Sequence, residues 1–576
     1  MSRRRFVQGL SLAALGTSSA WRGTGYAQSV ASGPTILSGR QIALSIASMP
    51  FNVTGRPRTA TAVNGSVPGP ILRLQEGDDV IVHVANRLDE ATSIHWHGLR
   101  LPADQDGVPG LTFAGIAPGE QFTYRFPIVQ SGTYWYHGHS GMQEQMGLMG
   151  PLILVPSGHE PYTYDRDYVV MLSDWTDEDP MTVVSNLKQQ SDYYNYHQRT
   201  VGTFLSDTRE QGLKATIRDR LMWGGMRMSP ADIMDVGGST YTFLLNGQSP
   251  MANWTGLFKP GERVRLRFIN AAAMTTFDVR IPGLPLTIVA ADGSDVEPVT
   301  VGEFRMGVAE TYDVIVEIRQ DTAYTMFAQA QDRTGFARGT LAPRPGMTAK
   351  VPPLDPSPLR PMADMGMSMQ GMEGMDMAGM DMSSAHKSAQ DQGHAPLPAA
   401  VNADGIDPAG LRGAPSVDNL ADHPQSRLGE PGTGLADNGR RVLLYTDLRA
   451  LHPDHEVRPV EREIEFHLTG NMQRFVWGFD GKKFSESGPV HVRLGERVRF
   501  VLINDTMMEH PIHLHGFLFS LENGQDGKLP IKHTVNVKPA ERLSFVFTAD
   551  VPGHWAFHCH LMYHMDAGMF RTVIVA

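Results

Sequence analysis

The tripeptide His558-Cys559-His560 contains the only cysteine among the 576 residues of the sequence. Side chains alternate between the two faces of a β-strand, so the two histidines point to one side and the cysteine to the other. One strand could therefore supply ligands to two metal sites on opposite faces. His564 and Met569 follow in the same stretch. A thiolate, a histidine and a weak axial methionine are ligands of a blue-copper electron-transfer site, which needs one further histidine.

Three more histidine motifs could complete these sites: His95-Trp96-His97, His137-Gly138-His139 and His510-Pro511-Ile512-His513-Leu514-His515. A single His-x-His pair is a weak signal, because such pairs also occur on surfaces and in zinc sites. A tetrahedral zinc site uses only three or four ligands. The four motifs with His564 hold ten histidines. With one Cys and one Met, they fit a mononuclear centre and a cluster of three metals that share eight histidines.

The elements that must position these motifs are predicted to be short β-strands. Polar and apolar residues alternate over 80–84 and 122–126, and turn sequences such as Asn64-Gly65 and Pro68-Gly69-Pro70 separate such segments. Glycine and proline are abundant, with 59 and 39 residues. This pattern is typical of a β-sandwich or barrel.

Two segments repeat along the chain. Residues 74–86, 258–270 and 492–504 each read as a strand, a Gly-acid turn, an alternating strand and an asparagine. The segments that end in the motifs at 132–139 and 553–560 also match each other, whereas the middle copy lacks histidines. We therefore predict three copies of one β-domain, of which the first and last carry metal ligands.

Composition adds two further segments to this plan. Residues 179–236 are richer in charge and in helix formers, especially over 206–222, which predicts a small helical insertion in the middle domain. Residues 341–438 are rich in Pro, Gly, Asp and Ser and lack strand periodicity, which predicts a largely disordered linker. The predicted domains span residues 34–157, 160–340 and 439–576.

The N-terminus has the features of an export signal. Three arginines and Phe6 precede an apolar run over 9–16, and Gly25-Tyr26-Ala27 offers a small-x-small cleavage site. We expect residues 1–27 to be a signal peptide read by the twin-arginine export machinery, which places the mature protein in the periplasm. An ordinary secretory signal or a basic tail is the alternative. No other apolar run approaches the ~18 residues of a membrane span, and the net charge of -11 argues against a nucleic-acid partner.

The linker contains nine methionines within 21 residues. Glycine and aspartate alternate with them, so no apolar helix face forms, although a plain flexible linker would also fit. Thioether sulfur is a soft ligand that prefers Cu(I), and we expect the tract to bind additional Cu(I). The methionines are Met362, Met365, Met367, Met369, Met372, Met375, Met377, Met380 and Met382.

In order and internal spacing, the four histidine motifs match the signatures of the multicopper oxidases, and the chain resembles that family over essentially all of its length after the signal. The signal, the three domains and the methionine tract together resemble its bacterial copper-resistance protein A group. Met-Asp-His repeats are common in that group. Here they appear as Gly-Met-Asp-Met at 374–377 and 379–382, without the histidine.

The resemblance implies an all-β chain of three cupredoxin-like Greek-key β-sandwich or barrel domains with four copper ions: one type 1, one type 2 and two type 3. The implied type 1 ligands are His510, Cys559, His564 and Met569. The implied type 2 ligands are His95 and His513. The implied type 3 ligands are His97, His137, His139, His515, His558 and His560.

The resemblance also implies a route for electrons. A substrate would give up electrons to the type 1 copper through a partly exposed His564 or His510. The electrons would pass through Cys559 into His558 and His560, and the cluster would reduce O2 to water. The three residues 558–560 are therefore predicted to be catalytic.

Reduction of O2 also needs protons. Asp106 matches an acid that delivers them in bacterial relatives, although turn chemistry alone would favour an Asp before Gly107. Some relatives carry a second acid directly after the last type 1 histidine. This sequence has Met565 there, with Asp566 following.

These features predict a copper-tolerance oxidase that couples oxidation of Cu(I), and of phenolic donors, to reduction of O2 to water. Other copper-resistance proteins could be its partners. A laccase-type phenol oxidase is one alternative, and a copper-sequestering protein is another. A methionine-rich cover over the type 1 site would favour Cu(I), whereas an open apolar cleft would favour phenols.

Overall fold

In the described part of the computed structural model, six β-sheets carry the fold, and successive stretches of the chain contribute two sheets each. This arrangement confirms the predicted all-β class. The structure describes residues 35–366, 401–402, 408–453, 456, 458–525 and 527–576. The predicted signal over 1–27 lies outside the described residues. Seven methionines of the tract also lie outside them: Met367, Met369, Met372, Met375, Met377, Met380 and Met382.

Residues 36–155 build the first two sheets. Their strands are β1 Ile36–Ser38, β2 Gln41–Phe51, β3 Arg58–Val63, β4 Ile71–Gln75, β5 Asp79–Asn86, β6 His95–His97, β7 Gln121–Pro127, β8 Gly132–His137 and β9 Met149–Val155. The sheet orders are β1-β4-β9-β8-β6 and β3-β2-β5-β7. Strand β5 shows why the sequence alternates, since Val80, Val82 and Val84 enter the core and their neighbours do not.

The middle pair of sheets has the same plan. Its strands are β10 Arg166–Thr176, β11 Tyr241–Leu245, β12 Trp254–Leu257, β13 Arg263–Asn270, β14 Phe277–Arg280, β15 Leu286–Ala291, β16 Ser294–Val301, β17 Phe304–Met306, β18 Thr311–Glu317, β19 Tyr324–Ala330 and β20 Phe336–Ala342. The orders are β11-β10-β13-β18-β15-β16 and β12-β20-β19-β14-β17. Neighbouring strands are often not consecutive in the chain, as Greek-key connections require.

The predicted helical insertion is confirmed and lies between β10 and β11. Its helices are α1 Pro180–Gln189, α2 Val201–Gln211 and α3 Leu213–Gly225. Asp179 caps α1 by accepting the Thr182 N–H. The stretch 206–222, rich in helix formers, is divided between α2 and α3 at Gly212, whose φ of 87° no α-helix can contain.

The last stretch of the chain forms the third pair of sheets. In one of them β22 lies beside β25, and in the other β31 lies between β26 and β32. Its elements are β21 Val401–Asn402, β22 Arg462–Asn471, β23 Val476–Phe479, β24 Val490–Val492, β25 Arg497–Asn504, β26 His510–Leu514, β27 Phe519–Leu521, β28 Ile531–Lys532, β29 Thr534–Val537, β30 Arg542–Thr548, β31 Gly553–Cys559, α4 Met562–Asp566 and β32 Phe570–Val575. Two histidine motifs therefore lie on adjacent strands, with His513 opposite His558. The exact domain boundaries stay predictions.

The asparagine that ends each repeated segment has the same structural task in all three copies. Asn86, Asn270 and Asn504 are the last residues of β5, β13 and β25, and each is fully buried. In each copy the side-chain amide donates to two backbone carbonyls. Its oxygen accepts the backbone N–H two residues further on. The repeat therefore preserves a buried hydrogen-bonding corner.

The predicted disorder of the linker is wrong for its two described ends, 343–366 and 408–438. Met365 and Leu435 are fully buried. The carboxylate of Asp364 is also buried, and it forms ion pairs with Arg360 and Arg427. Polar composition suggested solvent exposure, but these ion pairs let charged residues leave water. Residues 367–400 and 403–407 lie outside the described residues.

No helix in the described ranges is both long enough and apolar enough to cross a membrane.

The asparagine corner can be tested in the middle domain, where no predicted ligand is disturbed. Asn270→Ala leaves two carbonyls and one N–H without their buried partner, so we expect unfolding to become easier by about 2–4 kcal/mol. The midpoint of guanidinium unfolding measures this change. Asn52→Ala is the control, because exposed Asn52 accepts only the Gly55 N–H. A loss no larger than that of the control would contradict the assignment.

Candidate metal centre

Cys559 lies at the end of β31 and faces two histidines from different elements. Its Sγ is 3.6 Å from Nδ1 of His510, at the start of β26, and 3.9 Å from Nδ1 of His564, in α4. The two Nδ1 atoms are 3.2 Å apart. All three side chains are fully buried. Together they form a group that could hold one metal ion.

Backbone hydrogen bonds hold Met569 beside Cys559 and His564. Its carbonyl accepts the Cys559 N–H at 3.1 Å, and its N–H donates to the His564 carbonyl at 2.9 Å. The side chain of Met569 is fully buried. The turn before it requires Gly568, since a Cβ there would lie 2.4 Å from Cβ of Lys483. The short α4 and this turn therefore bring His564 and Met569 back beside Cys559.

In both histidines of this site, the ring nitrogen that faces away from Cys559 also has a partner. Nε2 of His564 lies 2.6 Å from Oδ2 of Asp235, and Nε2 of His510 lies 2.7 Å from Oγ1 of Thr506. An ionised carboxylate only accepts, so Asp235 holds the hydrogen of His564 on Nε2 and leaves Nδ1 bare toward Cys559. The ring of Trp477 stacks on His564 with centroids 4.0 Å apart. The ring orientation is thereby fixed before any metal binds.

The expectation that His564 or His510 is partly exposed is wrong, because both are fully buried. Asp235, which follows helix α3 near the end of the insertion, covers His564 from the middle domain. The sequence could not show this, since 329 positions separate the two residues.

The other motifs meet between the first and last pairs of sheets. His95 and His97 lie on β6, and His95 pairs with His137 of neighbouring β8. The ring of His95 stacks on His515 with centroids 3.9 Å apart, and that of His97 stacks on His513 at 3.8 Å. The His-x-His pair of the first domain thus faces the pair of the last domain ring against ring.

His558 and His560 reach the same cluster from the strand that carries Cys559. His558 Nε2 is 2.9 Å from His515 Nε2, and the ring of His560 lies 4.9 Å from that of His97. Cys559, between them in sequence, faces His510 and His564 instead. The strand end serves two sites, as the alternation of side chains predicts.

The cluster fits a bound metal because its ring nitrogens lack other partners. Six buried ring nitrogens of the predicted cluster ligands have no hydrogen-bond partner among the described residues. An unpaired buried polar atom costs about 1–3 kcal/mol, which a metal ion at each nitrogen would offset. The atoms are Nε2 of His95, His137, His139, His513 and His560, and Nδ1 of His97.

The electrostatics of the cluster favour the neutral imidazoles that metals require. Burial, with repulsion from neighbouring imidazoles, lowers the pKa of seven cluster histidines, and of His510 beside Cys559, below the ordinary value. Burial lowers the pKa of His558 to about 4. Near pH 7 the rings are therefore uncharged and able to bind metal. The other histidines so affected are His97, His137, His139, His510, His513, His515 and His560.

Asp106 links the two halves of the cluster. It follows the 3-10 helix Ala103–Gln105, and its Oδ2 lies 2.8 Å from Nδ1 of His515. Its Oδ1 is 3.2 Å from Nδ1 of His95, and its backbone carbonyl is 2.8 Å from the same atom. The turn needs Gly107, because a Cβ there would lie 1.8 Å from the carbonyl oxygen of Ile94. The acid chosen from the sequence thus contacts two cluster histidines.

A second buried acid beside the cluster was missed. Oε2 of Glu144 lies 2.7 Å from Nδ1 of His137. Burial raises the pKa of Glu144 well above its ordinary value. Met565 occupies the position where relatives carry an acid, and Asp566 faces Lys188 near the surface. An acid so close after His139 was a usable signal, since charges near a ligand motif are often second partners of the ligands.

Two methionines of the tract, Met362 and Met365, lie in the described residues. They begin and end the 3-10 helix Met362–Met365, where Met365 is fully buried and Met362 is half-buried. The positive charge of Arg360, just before this helix, adds to the effect of burial in lowering the pKa of His510. Arg360, two residues before the first methionine of the tract, is therefore close enough to His510 to act on it electrostatically.

Comparison with known proteins agrees with this geometry. Models of the multicopper oxidase family match residues 45–158, 166–345 and 458–576. The chain is 53% identical to copper resistance protein A of Pseudomonas syringae pv. tomato, and the match covers 100% of this chain and 99% of the relative. It is 50% identical to copper resistance protein A of Escherichia coli over the same shares.

Solved structures share the fold. The crystal structure of Fet3p, a multicopper oxidase that functions in iron import, superposes with a TM-score of 0.63 at 18% identity, covering 94% of this chain and 90% of Fet3p. The family models and the two full-length relatives confirm the resemblance seen in the four motifs, and they make the protein an oxidoreductase with copper as cofactor. The chain belongs to the multicopper oxidase family, within its copper-resistance protein A group.

Proposed function

We propose that this oxidase couples one-electron oxidation of Cu(I), and of phenolic donors, to four-electron reduction of O2 to water, and that this reaction protects the cell from copper. The observation that carries the proposal is the position of Cys559. It faces His510 and His564 on one side and is joined by peptide bonds to His558 and His560, which face the histidine cluster. The two sites are therefore connected directly through the backbone of residues 558–560.

The residues predicted from the motifs would hold four copper ions. His510, Cys559 and His564, with Met569, would hold one. The cluster histidines would hold three, since their unpaired nitrogens suit metal binding. When bound, copper supplies one-electron redox chemistry at Cys559 and the reduction of O2 at the cluster. The cluster histidines are His95, His97, His137, His139, His513, His515, His558 and His560.

The surrounding residues hold the ligands in place and keep water away. Asp235 and Trp477 fix His564, and full burial excludes solvent from Cys559. Asp106 lies against His95 and His515, where a carboxyl group could pass protons toward the cluster. Its position supports the proton-delivery role predicted from the sequence.

The surroundings of His564 favour a small, soft cation as donor. A pocket of about 460 Å³ between the helical insertion and the last domain is lined by Met228, Met472 and Asp232, among others. Thioether sulfur prefers Cu(I) over harder cations. Oδ1 of Asp235 has no hydrogen-bond partner in the described part of the chain, so it offers an anionic atom directly behind His564. Two thioethers in the pocket and a carboxylate behind His564 are groups that would attract and bind Cu(I).

A second pocket favours phenols as additional donors. It has a volume of about 450 Å³ and is lined by Tyr194, Tyr196, Leu359 and Met234, among others. Met234 directly precedes Asp235, so an aromatic ring bound there would lie near the residue that covers His564. Since His564 itself is buried, we expect phenols to be slower donors than Cu(I).

The compartment and partners follow from the sequence and the relatives' names. Two relatives are named copper resistance protein A, which supports a role in copper tolerance. Residues 1–27 would direct export through the twin-arginine machinery to the periplasm, where other copper-resistance proteins could be partners. Extra Cu(I) in the methionine tract would make sequestration a second contribution to tolerance.

Cys559→Ser tests the central site. Serine nearly matches cysteine in shape but lacks the thiolate, so we expect loss of the blue absorption and of oxidase turnover with both donors. Circular dichroism should show a folded protein. Thr572→Ser on neighbouring β32 is the control and should stay blue. A Cys559→Ser protein that kept its blue colour would rule out the proposed site.

Copper uptake by the apo-protein should depend on pH. Burial raises the pKa of the Cys559 thiol, so the thiol is protonated between pH 6 and 8, whereas burial lowers the pKa of neighbouring His510, which is already neutral. Copper must displace this one proton. The apparent dissociation constant at this site should therefore fall about tenfold for each pH unit of increase.

Titration of apo-protein with copper at pH 6, 7 and 8, followed by the blue absorption, measures this dependence. Proton release in weakly buffered solution gives the stoichiometry independently. Cys559→Ser should release no such proton. Uptake with the same affinity at all three pH values would contradict the account.

Deleting 367–382 tests the methionine tract and leaves the packed helix Met362–Met365 intact. If the tract delivers Cu(I), oxidation of Cu(I) should fall at least about tenfold, equivalent to about 1.4 kcal/mol, while phenol oxidation stays within twofold. Steady-state O2 consumption with each donor measures both rates. Replacing the same methionines by leucine keeps the length and removes the sulfur. Lost copper tolerance with both rates intact would instead favour sequestration.

A further inference from the structure

Thr534 belongs to none of the histidine motifs, yet its hydroxyl contacts three imidazoles. It is the first residue of β29, pairs with His513 of β26 and is fully buried. Its Oγ1 lies 3.2 Å from Nε2 of His97, 3.3 Å from Nδ1 of His513 and 3.0 Å from Nδ1 of His533. These three histidines have the spacing of a metal site. The hydroxyl, however, already contacts one nitrogen of each.

The hydrogen on His513 can be assigned from its second partner. Nδ1 of His513 lies 2.6 Å from the backbone carbonyl of His533. A carbonyl oxygen only accepts, so this Nδ1 carries the hydrogen and donates it. Nε2 of His513 is then bare, and it has no hydrogen-bond partner within the described ranges. His513 is therefore prepared to bind metal through Nε2.

The hydrogen on the ring of His97 can be assigned in the same way, and here the nitrogen without a partner is Nδ1. Its Nδ1 has no partner among the residues that are described, while its Nε2 faces the hydroxyl of Thr534. A hydroxyl can donate once and accept twice. Thr534 can thus accept from Nε2 of His97 and from Nδ1 of His513, and donate to Nδ1 of His533. This assignment leaves Nδ1 of His97 bare for metal.

The contact between Thr534 and His97 crosses from the last domain to the first. Asp106 makes the reverse contact, since it belongs to the first domain and lies against His515 of the last. Thr534 and Asp106 therefore orient one ligand each on the opposite side of the interface. The stacked ring pairs described above lie between these two contacts.

The middle domain holds Thr534 in place. Oδ2 of Asp292 accepts the backbone N–H of His533 and of Thr534, at 3.2 and 3.1 Å. The ring of His533 lies over Gly98, where a Cβ would be 2.5 Å from Cδ2 of that ring. Thr534 is consequently fixed from the middle domain and acts on the first domain.

We propose that Thr534 is a positioning residue whose hydroxyl sets His97 to bind metal through Nδ1 and secures it across the interface between the first and last domains. The inference rests on the proposed function, in which the cluster histidines hold copper. In the group formed by His97, His513 and His533, the hydroxyl of Thr534 is thus the shared contact of all three rings.

The test compares four proteins: the wild type, Thr534→Ser, Thr534→Val and Thr534→Ala. Valine keeps the shape of threonine without the hydroxyl, whereas serine keeps the hydroxyl without the methyl group. Second partners of metal ligands typically contribute 10- to 100-fold in metal affinity. We expect Val and Ala to lose about that factor in retention of cluster copper against a chelator. Ser should retain the copper.

Copper content after the chelator challenge and the EPR spectrum give readouts that do not depend on turnover. The blue absorption should persist in all four proteins, because Thr534 contacts none of the residues around Cys559. If Thr534→Val does not fold, the comparison of Thr534→Ala with Thr534→Ser tests the role of the hydroxyl, since these two variants differ only by that group. Full copper and an unchanged EPR spectrum in Val or Ala would overturn the proposal, even if the melting temperature fell.

Joint loss of the blue copper and the cluster copper would also overturn it, since the effect would then be general. Failure of the proposed function looks different. In that case the wild type itself would bind no copper at the cluster histidines, whatever residue occupies position 534.

Discussion

The constraint on which the structure depends is the covalent adjacency of Cys559 to His558 and His560. Because neighbouring side chains in a strand point to opposite faces, the two metal sites must lie on the two sides of one strand end. Strand β26 likewise contributes ligands to both sites. Its first residue, His510, faces Cys559, while His513 and the following His515 reach the cluster. The pairing of β26 with β31 therefore fixes the separation of the sites.

The middle domain lacks predicted copper ligands, but both sites depend on it. Its Asp235 carboxylate orients His564, and its Asp292 carboxylate binds the backbone beside Thr534. The same fold repeated without histidines thus supplies the outer partners of the ligands. Charged groups are well suited to this task inside a protein, since hydrogen bonds to ionised groups are the stronger ones.

The sequence predicted what is local or repeated. Strand alternation, the asparagine corners and the histidine motifs all lie within short windows, so their meaning could be taken from spacing alone. Asp235 and Thr534 could not be found in this way. Asp235 lies 329 positions from His564, and Thr534 lies 437 positions from His97, and no periodicity marks either residue. The packed ends of the linker were missed because composition does not show ion pairs such as that of Asp364 with Arg427.

The burial of His564 also bears on the choice of donor. One ring nitrogen faces Cys559 and the other faces Asp235, so a donor approaching from that side meets the carboxylate first. At an effective dielectric constant of about 20, two unit charges 4 Å apart interact by about 4 kcal/mol. A carboxylate at this place attracts a cation and repels a phenolate by energies of this order. The same contact that orients His564 would therefore favour positively charged donors, in keeping with the proposed oxidation of Cu(I).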